Sequence, residues 1–184
     1  MSALDRESGL LAITPSAVEY TTMTPEDIVV LNKEGETIEG HYSPTSEYPM
    51  HTLLYRRRPD IGAVIHSHAP MATVFAATYK TMPLVLTESG GTIGHSVKVA
   101  PYTSAGSAEL GEICLEVMGD DGTAVLMGSH RLVLVGRNLA NAYSSTHGVE
   151  DNARVVIYAR ASGATPRIIS DDMVATMREQ WLAG

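Results

Sequence analysis

The sequence predicts a mixed α/β (α+β) fold: a central, mostly antiparallel sheet flanked by helices. Three observations carry this. Five or six short runs rich in Val, Ile, Leu and Ala are punctuated by Gly, Pro, Asn or Asp, the pattern of buried strands. Helical segments lie between some of these runs but do not alternate strictly with them, which argues against a regular doubly wound sheet. Two of the runs, 124–127 and 132–135, are separated only by Gly128-Ser-His-Arg131, a spacing that suits a hairpin and hence an antiparallel pair.

In chain order, the strand candidates are Leu10–Ile13, Ile28–Leu31, Ala63–His66, Val97–Ala100, Ala124–Met127 and Leu132–Val135. Helices are expected at about 47–57, 70–79, 106–118, 137–162 and 170–182. The first has helix-start residues in Thr45, Ser46 and Glu47, and Arg56-Arg57-Arg58 before Pro59 suits the carbonyl end of its dipole. The fourth carries Leu139, Ala142, Tyr143, Thr146, Val149, Ala153, Val156 and Ile157 at three- and four-residue steps, one apolar stripe. His147, Glu150 and Arg154 fall on or near its opposite side, where a solvated face is expected. Ser170-Asp-Asp is an N-cap signal for the last helix. The glycines of Glu88-Ser-Gly-Gly-Thr-Ile-Gly94 match no phosphate-loop pattern and read as a loop.

With 184 residues the chain is expected to form a single domain, 1–184, able to bury a core without staples. A formal net charge of −8 argues against binding nucleic acid, whose affinity rests on Lys and Arg neutralising phosphates. No apolar run is long enough for a membrane span and no leader pattern opens the chain, so a cytoplasmic setting is the expectation. Cys114 is the one cysteine and reads as a small core residue.

The chemistry-bearing residues are histidines. In Ala63-Val-Ile-His-Ser-His-Ala-Pro70, His66 and His68 are two apart, and side chains at i and i+2 of a strand share a face. Such a pair can start a zinc-type site of three protein ligands and an open position, or it can be satisfied structurally. A third ligand must come from elsewhere, and His130, also at the end of an apolar strand, is the best placed. In Ser43-Pro-Thr-Ser-Glu-Tyr-Pro-Met-His51, the hydroxyls of Thr45 and Ser46 can cap a helix or help hold an anion at its start. Glu47 can complement the helix dipole or carry a proton.

The order of these pieces resembles the class II aldolase/adducin family over nearly the whole chain. The resemblance rests on ITPSAVEY with MTPEDIVVLNKEGETIEG, then PTSEYPMHTLLYRRRPDIGAVIHSHAP, VKVAPYTSAGSAELG, SHRLVLVGRNLANAY and the helix carrying Glu150. It implies a three-layer architecture, with His66, His68 and His130 as ligands of Zn2+ or another divalent metal such as Mn2+ or Co2+. It implies Glu47 as the acid/base, the residue type of the family's aldolases where its epimerases have Asp. Thr45, Ser46 and Ser16 correspond to the groups that hold the substrate phosphate.

The activity implied is reversible aldol cleavage of a ketose 1-phosphate of the L-fuculose 1-phosphate type, by a homotetramer with active sites between subunits. Dehydration or 4-epimerisation on the same site, and a non-catalytic adducin-like binding module, are the alternatives. The chain departs from the family pattern at Ala17, a usual Gly, at Ser129 and Arg131, a usual Asn and Gly, and at Thr87, where fuculose-phosphate aldolases have a tyrosine. It is also expected to be short at its N-terminus, matching only the last Ser of the family's first phosphate motif.

Overall fold

The structure, a computed structural model, describes residues 1–183. Eight strands form one sheet: β1 (Ser2–Leu4), β2 (Leu11–Ile13), β3 (Val29–Leu31), β4 (Thr37–Glu39), β5 (Ala63–Ser67), β6 (Val99–Ala100), β7 (Ala124–Met127) and β8 (Leu132–Gly136). Their order is β4-β3-β2-β1-β5-β8-β7-β6, and every pairing is antiparallel except β6 with β7. Six helices accompany them: α1 (Tyr48–Arg57), α2 (Pro70–Thr78), α3 (Thr87–Ile93), α4 (Ala108–Met118), α5 (Leu139–Ala161) and α6 (Asp171–Ala183).

Strand alternation divides the core into two layers. Leu11, Ile13, Leu31, Val64, Val125, Val133 and Val135 pack with Met50, Leu54 and Tyr55 of α1 and with Leu110, Cys114 and Met118 of α4. On the other face Leu126, Leu132 and Leu134 meet Ala72 and Phe75 of α2, Val149, Ala153 and Val156 of α5, and Val174 of α6. Helices thus cover both faces. β7 is buried along its whole length, as is β8 up to Val135, which explains why they read as continuous apolar runs rather than alternating ones. Each fully buried Leu or Val there contributes about 1.5–3 kcal/mol relative to exposure.

The sequence expectation of a mostly antiparallel sheet between helices holds, with three corrections to its elements. Two strands, β1 and β4, were not anticipated, because three residues are too short to show a period. The Glu88–Gly94 stretch is helical up to Ile93, with Gly94 as its left-handed C-cap, rather than a loop. Its glycines serve packing: a Cβ on Gly90 would lie 2.7 Å from Met177 Sδ, and one on Gly91 would lie 3.3 Å from Trp181 Cβ, so their absence lets α6 sit close against α3. Glu150 is not on a solvated face; its carboxylate accepts backbone N–H groups at the start of α2. Among the described residues no helix is long and apolar enough to cross a membrane.

Candidate active site

The site lies where β5 and the β7–β8 hairpin end and α1 begins. In the register of β5 with β8, His66 stands opposite Val133 and Val64 opposite Val135, so His66 shares the face that packs on α1. β5 ends at Ser67, and His68 follows it directly before α2. His130 sits in the hairpin turn, where its N–H donates to the Met127 carbonyl at 3.0 Å and the Met127 N–H donates to the Arg131 carbonyl at 2.7 Å. Ser129, just before it, has φ +54°, a left-handed conformation that a short polar residue tolerates better than a branched one. Gly128 is required there: a Cβ would run into the Tyr79 ring and lie 2.7 Å from the Ala100 carbonyl oxygen.

These constraints bring the three imidazoles together. Ring centres are 5.3 Å apart for His66 and His68 and 5.0 Å apart for His66 and His130. Two imidazoles sharing a tetrahedral ion at ~2.0–2.1 Å per nitrogen have ring centres about 5 Å apart, so both spacings fit such a centre. His66 Nδ1 is buried with no hydrogen-bond partner. As placed, no three His, Cys, Asp or Glu side chains among the described residues are gathered into a closed coordination set. The donor chemistry and the spacing nonetheless suit a divalent ion.

Burial, reinforced by His130 and His68, pushes His66 down to about 3, and burial and the Arg131 guanidinium lower His68 while Glu47 opposes the shift. Both rings are therefore neutral at neutral pH, the state in which imidazole ligates.

Glu47 is the N-cap of α1 by position, with φ −84° and ψ 3°, and its carbonyl accepts from the Met50 and His51 N–H groups. Its side chain is 6% exposed, and Oε2 is buried without a partner. A buried carboxylate oxygen left unpaired is costly unless it serves a ligand or a water. Thr45 and Ser46 do not cap the helix through their side chains, contrary to what their residue types suggest. Both residues line the cleft instead. Ser16 is held beside them by its N–H bond to the Ser43 carbonyl, and Ala17 follows in a left-handed conformation, φ +60°.

All seven residues singled out from the sequence, Ser16, Thr45, Ser46, Glu47, His66, His68 and His130, line one cleft of about 620 Å³. Sequence reasoning missed Tyr143 and Thr146, which line its far wall from α5, and Tyr20 on the loop after β2. Tyr143 was assigned to an apolar core stripe; it is 56% exposed and meets His147 edge to face at 4.8 Å. His51 was also missed. It is fully buried under the site, its Nδ1 2.7 Å from Ser2 Oγ, which in turn lies 3.0 Å from Tyr55 Oη. A second cavity, about 500 Å³, opens at the opposite end of the sheet. Its guanidiniums are engaged: Arg58 bonds Asp60 and two carbonyls, Arg178 bonds two carbonyls, and Arg137 and Arg178 both pack over Trp181.

Comparison with known proteins gives consistent matches. Residues 1–157 match the sequence model of the class II aldolase and adducin N-terminal domain. A 5-deoxy-D-ribulose 1-phosphate aldolase of Bacillus thuringiensis serovar kurstaki is 34% identical over 181 residues, covering 98% of this chain and 84% of that protein. An L-ribulose-5-phosphate 4-epimerase of Salmonella paratyphi B is 30% identical, covering 93% and 79%. Among solved structures, an L-fuculose 1-phosphate aldolase superposes with TM-score 0.92 at 34% identity, covering 98% of this chain and 84% of that one. The Escherichia coli protein YgbL, described as a putative aldolase/epimerase/decarboxylase, shares the fold at TM-score 0.84 and 22% identity.

Proposed function

Because this chain belongs to the class II aldolase and adducin family, we propose that it is a metal-dependent carbon–carbon lyase that cleaves a ketose 1-phosphate to dihydroxyacetone phosphate and an aldehyde. The observation that carries the reading is the meeting, in one cleft, of three neighbouring imidazoles with a buried carboxylate that has an unpaired oxygen. A sugar phosphate is favoured because relatives at 34% identity are named as aldolases of 5-deoxy-D-ribulose 1-phosphate and L-fuculose 1-phosphate.

His66, His68 and His130 would hold the ion, Zn2+ or a similar cation such as Mn2+ or Co2+. When bound, it supplies Lewis acidity toward the substrate's carbonyl and neighbouring hydroxyl oxygens. Ser16, Thr45 and Ser46 hold the phosphate with hydroxyls and the adjoining backbone. Glu47 carries the proton: its carboxylate takes up the proton that the C4 hydroxyl loses as the C3–C4 bond breaks and C4 becomes the aldehyde carbonyl. The electron pair stays with the phosphorylated three-carbon fragment, and the resulting carboxyl group delivers that proton to C3; in synthesis the same transfers run in reverse. Its burial keeps water from competing for the same carbon. Residues on both sides of the cleft, Tyr20 and Tyr143, border the space left for the aldehyde.

The reading extends to a homotetramer acting in the cytoplasm. Tyr143, Val155 and Tyr158 leave apolar surface exposed along α5, and the buried Cys114 thiol calls for no oxidising compartment. Light scattering of the purified protein measures the first of these.

The deciding experiment assays dihydroxyacetone phosphate release from a panel that includes 5-deoxy-D-ribulose 1-phosphate and L-fuculose 1-phosphate. Release is expected, is abolished by a chelator, and returns with Zn2+, Mn2+ or Co2+. Glu47→Gln is expected to lower kcat by roughly 10²–10⁴-fold with ion uptake unchanged. Absence of triose phosphate, with inversion of L-ribulose 5-phosphate at C4 instead, would establish the epimerase reaction named for one relative and overturn this one.

A further inference from the structure

Glu150 lies on α5, one turn beyond the cleft-lining Thr146, and makes no bond within its own helix that explains it. Its carboxylate reaches across to the first turn of α2. The Met71 N–H donates to Oε1 at 2.9 Å and to Oε2 at 3.0 Å, and the Ala72 N–H donates to Oε2 at 3.0 Å. Pro70 has no N–H, and the Thr73 N–H donates to the Ala69 carbonyl at 3.0 Å. One side chain therefore satisfies both of the first-turn amides that α2 leaves free, with the favourable charge for the positive end of a helix dipole.

The segment so anchored begins two residues after His68. Ala69 between them is 6% exposed, and the ring of Pro70 fixes its own φ, so little slack separates the anchor from the imidazole. The same turn is tied on its other side to the residue after His130: Thr73 Oγ1 donates to the Ala69 carbonyl at 2.7 Å and accepts from Arg131 Nη1 at 3.3 Å. His68 and His130 are thus connected through one helical turn that Glu150 holds in place.

We propose that Glu150 is a positioning residue: by clamping the first turn of α2 it sets His68 against His66 and His130. This rests on the reading of the three histidines as an ion site. A carboxylate that merely stabilised α2 would leave the histidine geometry and ion affinity unchanged.

The test compares Glu150→Ala and Glu150→Gln with the wild type and with Asp151→Asn, an exposed acidic neighbour on the same helix, using imidazole NMR resonances of the metal-free proteins and titration with Co2+. In Glu150→Ala the His68 resonances are expected to move while those of His51 stay. Co2+ is expected to bind about 10–100-fold more weakly with an altered visible spectrum. Glu150→Gln, which keeps one acceptor and nearly the same shape and so guards against loss of the fold, restores part of both; Asp151→Asn changes neither. His68 resonances and Co2+ affinity in folded Glu150→Ala matching the wild type would overturn the proposal. If the wild type itself takes up no Co2+, the ion site falls, and the His68 resonances of the metal-free variants alone decide whether Glu150 positions that ring.

Discussion

His51 shows how a single buried side chain can link the site to acid stability. It has no exposure to solvent, and burial holds its pKa well below the ordinary imidazole value, with a neighbouring cationic terminus and His66 acting in the same direction. The folded protein therefore keeps this ring neutral, while the unfolded chain protonates it near pH 6.5. As pH falls below that value the unfolded state takes up a proton that the folded state refuses, so stability decreases by up to about 1.4 kcal/mol per pH unit from this group. Urea midpoints of the wild type should fall between pH 7.5 and 5.5, and His51→Gln should flatten that dependence; an equal slope in both proteins would assign the effect elsewhere. The sequence made His66, His68, His130 and Glu47 legible because strand ends and a helix start are local features. His51 and Glu150 were not, since one acts through a hydroxyl 49 residues away and the other through amides nearly 80 away. Only the folded backbone brings such partners together.

Among the elements, α3 and α6 make the closest test of packing. Gly90 sits where an added methyl would meet Met177 Sδ at 2.7 Å, and Gly91 faces Trp181. Gly90→Ala is expected to raise the helix propensity of α3 by up to about 1 kcal/mol and yet to destabilise the protein by roughly 1–3 kcal/mol, because the displaced Met177 must pull α6 outward. Thermal unfolding measures the balance, and a rise in Tm would mean that Met177 gives way freely. The longer elements were readable from periodicity: α5 begins after an Asn138 cap that bonds the Asn141 N–H, and the hairpin of β7 and β8 keeps the expected four-residue connection. α3 was not, since Gly-Gly inside seven residues removes both propensity and pattern. The strands β1 and β4 carry no alternation of their own; they exist because β2 and β3 offer them partners.

For the whole molecule, the decisive feature is that the proposed ion site joins two neighbouring strands near the middle of the sheet. β5 is paired on one edge with β1 and on the other with β8, and the three imidazoles come from β5, the segment after it, and the turn before β8. An ion held by all three favours the folded state alone, by about 2.7 kcal/mol at a hundredfold excess over Kd. Added Zn2+ should accordingly raise the unfolding temperature of the chelated protein, and His130→Ala should abolish that rise. An increase that persists in the variant would place the ion elsewhere.

The chain position of β8 also matters during synthesis. When a ribosome has released the first 120 residues, His66 and His68 are already present, but the strand that completes their sheet is not, and neither is the third imidazole. The nascent chain can offer at most a loose two-point grip, open to whatever cation is most abundant nearby. On the proposed reading, selective loading therefore belongs to the finished polypeptide rather than to the chains being made.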